Sequence, residues 1–125
     1  MYAERHVVTI VTDAAGAGTG YTPVVSGRVL TVVYVKAGSS PYAAGVDFTI
    51  TAEATGENLW TETNVNASAV RAPRQPTHDA AGAASLYAAA GEPVEAPIVL
   101  AKDRVKIVIA QGGDTLTGTF HVIVG

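Results

Sequence analysis

The stretch VDFTITAEA (residues 46–54) decides the fold class, because apolar and polar residues alternate along its whole length. Successive side chains of a β-strand point to opposite faces of a sheet, so Val46, Phe48 and Ile50 would share one face. Alanines at positions 52 and 54 continue that face, and Asp, Thr, Thr and Glu occupy the positions between. The stretch therefore predicts a strand with one face in the core and the other in solvent.

Further strands are predicted on both sides of this one. The alternation recurs from Leu116 to Val124, with Phe120 on the apolar face. Arg28 to Lys36 and Val105 to Ala110 are apolar on both faces, which is typical of central strands or of strands that contact another chain. Shorter strands are predicted at residues 7–12 and 59–65.

The predicted connections are rich in glycine. Asp13 to Gly20 is predicted to be a flexible loop, with a strand following from near Tyr21. Its glycines lack the Gly-Lys-Ser/Thr ending of a phosphate-binding loop, so they indicate a turn. Gln111 to Asp114 is predicted to form a tight hairpin between the last two strands. Together these features predict one all-β domain over residues 1–125, an antiparallel β-sandwich or a jelly-roll-like fold.

One long segment, residues 67–97, is rich in Ala, Gly and Pro and shows no convincing strand. Ala83 to Ala90 could form one or two turns of helix, and Asp79 could cap it. Loops of this length are usually functional or disordered, so the segment is either a flexible insert or an arm that orders against a partner. We favour the arm, because Arg71, Tyr87 and the prolines are not typical of flexible linkers.

The composition excludes several classes of function. A formal net charge of −3 gives no basic surface for nucleic acid. The lack of cysteine excludes disulfides, thiolate metal sites and a cysteine nucleophile. The first twelve residues lack the pattern of a signal peptide, and no run approaches the roughly 18 apolar residues that span a bilayer. We therefore expect a soluble protein made in the cytoplasm, with no nucleic-acid or membrane partner.

The residues that could carry chemistry are scattered. His6, His78 and His121 are far apart in sequence, and the first and last are predicted to face outward from strands. Their spacing offers no set of metal ligands. The pair His78-Asp79 has no nucleophile nearby. The sequence therefore predicts no enzyme, with no catalytic, cofactor-binding or metal-binding residues.

Four residues are candidates for contact with a protein partner. Trp60 is either a core residue or an interface anchor. Interface hot spots are enriched in Trp, Tyr and Arg, so Trp60, Arg71, Arg74 and Tyr87 are the predicted contact residues.

Four stretches, set among Thr/Val/Ala-rich strands and Gly-rich turns, carry a resemblance to a known group of proteins. They are YVKAG (34–38), GVDFTIT (45–51), APRQPTHD (72–79) and TGTFHVIVG (117–125). With these features the chain resembles the small β-rich virion proteins of tailed bacteriophages, particularly head decoration or cement proteins.

The resemblance implies a capsid decoration protein that clamps subunits of the major capsid protein shell. It implies a virion location after synthesis in the host cytoplasm, and a homo-oligomer, either a dimer or a trimer. A tail or connector β-module and a carbohydrate-binding module are the alternatives. The carbohydrate-binding alternative predicts exposed aromatic residues clustered on one face.

Overall fold

The computed structural model describes residues 2–125, which form ten β-strands and no helix. The strands are β1 (Glu4–Val11), β2 (Gly18–Tyr21), β3 (Val25–Lys36), β4 (Asp47–Ala52), β5 (Asn58–Glu62), β6 (Ala69–Arg71), β7 (Arg74–Pro76), β8 (Glu95–Asp103), β9 (Val105–Ala110) and β10 (Thr117–Val124).

The strands form two antiparallel sheets. The six-stranded sheet has the order β1-β10-β3-β8-β7, with β6 also paired to β3, and the four-stranded sheet has the order β2-β9-β4-β5. Side chains from the two sheets meet in one core. Phe48 of β4 lies 4.7 Å from Tyr34 of β3 and 4.9 Å from Phe120 of β10, between ring centroids. The predicted antiparallel β-sandwich is confirmed, and β3 and β9 are central strands as predicted.

The alternating stretch of residues 46–54 contains β4. Residues 46, 48, 50 and 52 are buried, as the alternation predicts. The prediction is wrong for Ala54, which is exposed. The strand has ended by then, because the backbone N–H of Ala54 donates to a carboxylate oxygen of Asp103 at 3.0 Å.

Two predicted connections are corrected. Gln111 to Asp114 is not a hairpin, because β9 and β10 lie in different sheets and the chain crosses between them there. Asp13 to Gly20 is not all loop, because β2 begins at Gly18. A Cβ atom at Gly18 or Gly20 would lie 2.8 Å from the Ile10 side chain. Glycine therefore lets β2 approach β1 closely across the core.

The segment at residues 67–97 is also corrected, since it contains β6, β7 and the start of β8. The predicted helix at residues 83–90 is wrong. Residues 77–94 instead form two successive β-hairpins, named here the double hairpin. Thr77 accepts a hydrogen bond from Ser85 N–H at 2.9 Å and donates its own N–H to Val94 at 2.8 Å. No residue of the double hairpin is buried.

The pentapeptide Asp-Ala-Ala-Gly-Ala occurs twice, at residues 13–17 and 79–83, and forms the same turn at both places. In each turn the aspartate carboxylate accepts two backbone N–H groups, from the second and fourth residues that follow it. Asp79 therefore caps a turn rather than the predicted helix.

Candidate protein-binding surfaces

The outer face of the six-stranded sheet is apolar. Along one row across this sheet, Val7 of β1 pairs with His121, His121 with Val33, and Val33 with Val70. Five valines on this face are 42–60% exposed, and Val33 and Ile123 are half-buried. We name the set the valine surface: Val7, Val11, Val33, Val35, Val70, Val99 and Ile123.

The outer face of the four-stranded sheet is polar by comparison. Its exposed strand positions include Thr19, Thr49 and Thr61, which lie in one row with the half-buried Val108. The exposed Tyr21 at one end of this face lies under the Arg104 guanidinium, 3.9 Å from the ring centroid.

Arg104 is itself paired with a carboxylate. Two of its three guanidinium nitrogens, Nε and Nη2, donate to the oxygens of Glu53 at 2.7 and 2.8 Å. These hydrogen bonds lower the pKa of the Glu53 carboxyl from its ordinary value. Most of the exposed large apolar side chains of the sandwich lie on the six-stranded sheet instead.

The distribution of exposed apolar side chains separates two regions from the rest. Of the ten large apolar residues that are exposed, five belong to the valine surface, and Leu86 and Tyr87 lie in the double hairpin. Contiguous exposed apolar patches on soluble proteins commonly mark sites of protein–protein interaction. The valine surface and the double hairpin are the candidate binding regions of the described chain.

Two of the four predicted contact residues, Trp60 and Arg71, lie in one cluster at the edge of the sandwich. Trp60 is only 5% exposed and packs edge-on against Phe48, with 5.5 Å between ring centroids. Its indole N–H donates to Glu62 at 2.9 Å. The Arg71 guanidinium lies 5.2 Å from the Trp60 ring centroid and also binds Glu62, at 2.8 Å. The structure thus favours the core role for Trp60.

Glu62 is the acceptor that ties this cluster together. Hydrogen bonds lower the pKa of the Glu62 carboxyl. The bond from Trp60 has the largest effect, followed by those from Arg71. Because Arg71 is in β6 and Glu62 in β5, the ion pair joins the edge of one sheet to the edge of the other. The ion pair therefore anchors the segment that leads into the double hairpin to the sandwich.

The other two predicted contact residues are exposed. Arg74 lies in β7 and donates to the Pro73 carbonyl oxygen at 2.8 Å. Tyr87 is 75% exposed, and the neighbouring Leu86 is 42% exposed. A role for either residue in partner binding stays a prediction.

The sequence analysis did not single out the valine surface. The available signal was the presence of valine at both even and odd positions of β3, which indicated a central strand or a contact strand. β3 is central within its sheet and carries the exposed Val35 on its outer face. Contact of β3 with another chain stays a prediction.

The histidines do not converge. His121 faces outward, as predicted, but the prediction for His6 is wrong. His6 lies on the same face of β1 as the buried Val8 and Ile10, with its Nε2 3.5 Å from a Glu4 carboxylate oxygen. Among residues 2–125, no group of three or more His, Cys, Asp or Glu side chains is placed to hold a metal ion. In the same residues, no helix is long and apolar enough to cross a membrane.

Comparisons with known proteins add little to this picture. No protein-family model matches the chain, and no curated protein matches it significantly. Among solved structures, the chain is similar to the crystal structure of FLHE, with 12% sequence identity and a TM-score of 0.43. That match covers 98% of this chain and 96% of the other. A likeness at that level carries no argument about function or partners.

Proposed function

We propose that this chain is a structural protein that assembles with other protein chains, and that it decorates tailed-phage capsids by binding the major capsid protein shell. The valine surface is the observation that supports the proposal. It is a sheet face in which Val7, Val70 and Val99 are each more than half exposed, and no other part of the described chain covers them. The virion setting follows from the resemblance.

The energetics of such a contact are favourable. Burial of apolar area stabilises a complex by about 25 cal/mol per Å² before the costs of association are counted. A standard interface buries about 800 Å² on each partner, with its apolar part at the centre. The valine surface supplies apolar side chains for that centre, and Thr9, Thr119 and His121 lie among them on β1 and β10. Binding to a shell would also stabilise the folded chain by mass action.

Co-sedimentation with phage shells that lack their decoration protein tests the proposal. Val7→Glu and Val35→Glu place a charge on the valine surface, and we expect shell binding to weaken by about tenfold or more for each. Thr49→Glu and Thr61→Glu make the matched change on the opposite sheet face, and binding should be retained.

Equal binding by all four variants, with unchanged melting temperatures, would exclude the valine surface as the contact. Binding to tail or connector assemblies but not to shells would keep the contact surface and change the location in the virion.

A further inference from the structure

We propose that the double hairpin of one copy of this chain docks on the valine surface of a second copy. The inference rests on the proposed function, because it takes the valine surface to be a protein-binding face. It adds the segment that makes the contact between copies. A copy docked on the valine surface competes with the shell for the same residues.

The double hairpin and the valine surface are both apolar and complement each other. The second hairpin carries Leu86 and Tyr87 next to three alanines at positions 88–90, and all five residues are exposed. Tyr87 has the greatest exposed fraction of any large apolar residue after Tyr2. Tyr is among the residue types that carry most of the binding energy at interfaces. The valine surface offers branched side chains of matching character.

The double hairpin and the valine surface also complement each other in charge. The double hairpin contains Asp79 and Glu92, Glu95 follows directly, and residues 75–101 contain no Lys or Arg. Arg5 of β1 is exposed on the outer face, and Arg28 of β3 lies there with its Nε donating to the Gly125 carbonyl oxygen at 3.0 Å. None of the described outer-face positions of β1, β3 and β10 is Asp or Glu. An acidic segment and a cationic face attract each other and fix the orientation in which they dock.

The double hairpin and the valine surface are both already ordered within one chain. Tyr87 N–H donates to the Glu92 carbonyl oxygen at 3.0 Å, and Gly91 N–H donates to the Ala88 carbonyl oxygen at 2.8 Å. These bonds hold the tip of the second hairpin before any partner arrives. The valine surface lies on a hydrogen-bonded sheet, so docking requires little further loss of backbone entropy.

The topology allows two kinds of assembly. The double hairpin leaves the six-stranded sheet at the edge formed by β7, whereas the valine surface spans the outer face from Val7 of β1 to Val99 of β8. Two copies can therefore exchange their double hairpins reciprocally about a two-fold axis, or dock head-to-tail. Head-to-tail contacts close into rings when the rotation between copies permits it, and a trimer is the smallest ring larger than a dimer.

The experiment is light scattering on the purified protein and on a variant that lacks the double hairpin. Pro76 and Glu95 are register partners, so joining them through Asn-Gly closes β7 and β8 into a simple hairpin. We expect the wild type to self-associate between about 1 µM and about 1 mM. The closed variant should have a dissociation constant at least about tenfold higher. Its melting temperature should be unchanged, because the removed residues include none that is buried.

Charge reversal provides a second, more specific readout. Arg5→Glu and Glu92→Arg should each weaken self-association, and the two changes combined should restore most of it. Lys106→Glu, on the outer face of the other sheet, is the matched control and should leave the association unchanged.

A wild type that stays monomeric across the whole range would overturn the inference, as would a closed variant that associates as tightly as the wild type. Shell co-sedimentation keeps that failure separate from failure of the proposed function. A closed variant that still binds shells would mean that the capsid role does not need docking between copies. Loss of shell binding by the valine variants alone tests the proposed function and not the docking.

Discussion

The two Asp-Ala-Ala-Gly-Ala turns place one pentapeptide in two different environments. In both turns the aspartate N–H donates to the carbonyl oxygen four residues ahead, at 2.8 Å in the first and 2.9 Å in the second. The first turn belongs to the sandwich, where Gly16 is buried and its carbonyl oxygen accepts the Gly112 N–H at 2.9 Å. The second turn belongs to the double hairpin, where Gly82 has nothing within 4 Å of a Cβ position.

The difference separates what local sequence decides from what packing decides. The turn conformation follows from the aspartate carboxylate and from a glycine with positive φ, +81° at Gly16 and +85° at Gly82, so it is the same in both places. Its contribution to global stability depends on the surroundings. The sandwich should therefore lose stability on changes that the double hairpin tolerates.

The largest expected contrast is between two aromatic residues. Trp60→Ala removes a buried ring from the sandwich, and we expect it to lower the free energy of unfolding by about 3–5 kcal/mol. Tyr87→Ala in the double hairpin should change it by less than about 0.5 kcal/mol, because Tyr87 is exposed. Urea denaturation followed by circular dichroism measures both. A large loss for Tyr87→Ala would mean that the double hairpin is part of the cooperative core.

The second contrast compares the two turn glycines. Alanine at Gly16 would be strained by the positive φ and would bring Cβ to 2.9 Å from the Gly113 nitrogen. These costs of about 1–2 and about 1–3 kcal/mol together predict a loss of about 2–5 kcal/mol. Gly82→Ala meets only the strain, and that strain is confined to the double hairpin. Equal melting temperatures for the two variants would contradict this contrast.

The third contrast removes the capping carboxylates. Asp13→Ala and Asp79→Ala each abolish two hydrogen bonds to backbone N–H groups, and we expect a local cost of about 1 kcal/mol in each turn. Hydrogen exchange should therefore accelerate at the Ala17 amide in one variant and at the Ala83 amide in the other. Only Asp13→Ala should also lower the global melting temperature.

The smallest expected effect concerns the ion pair that joins the sandwich to the segment leading into the double hairpin. The pKa of Glu62 is lowered in the folded state, so its contribution is fully present above the unfolded value of about 4.5. It is lost as the pH falls through the lower folded value. Because Glu62 and Arg71 are partly exposed, we expect at most about 1 kcal/mol.

Glu62→Gln provides the measurement for this effect. The difference in unfolding free energy between wild type and variant should be constant at neutral pH and shrink below about pH 4.5. A difference that is independent of pH down to pH 2 would show that the carboxylate charge is not the source.

The sandwich was predictable where alternation is strong. Residues 46–52 and 116–124 are long enough for period two to identify the buried face, and Phe48 and Phe120 lie in the core. β2 was missed, because Gly18 and Gly20 suggest a loop by composition. Their role depends on the Ile10 side chain across the core, which no local pattern shows.

The double hairpin was harder to predict, for a different reason. Alanine has the highest helix propensity, and Ala83, Leu86, Tyr87 and Ala90 have helical spacing. The segment of residues 83–90 is nevertheless too short to form a stable helix on propensity alone. Ala90 has a positive φ of 56°, which no right-handed helix permits, and backbone pairing with residues 92–94 takes precedence. β8 was missed as well, because Pro97 interrupts its pattern.

The candidate surface was only partly predictable. The exposed Tyr87 was among the predicted contact residues, whereas the valine surface depends on which strands become neighbours. Val7, Val33 and Val70 are far apart in sequence and meet only through the pairing of β1, β10, β3 and β6. That order is a property of the whole fold.

The place of β10 in the six-stranded sheet has a consequence for synthesis on the ribosome. β10 is the last of the ten strands to be made, and it lies between β1 and β3, so neither can complete its ladder until residues 117–124 emerge. At about 5–20 residues per second, β1 waits between roughly 6 and 23 s for its neighbour. During that interval two strand edges that are later hidden stay open to other nascent chains. Crowding on a polysome, rather than the stability of the finished sandwich, would then limit the yield of folded protein.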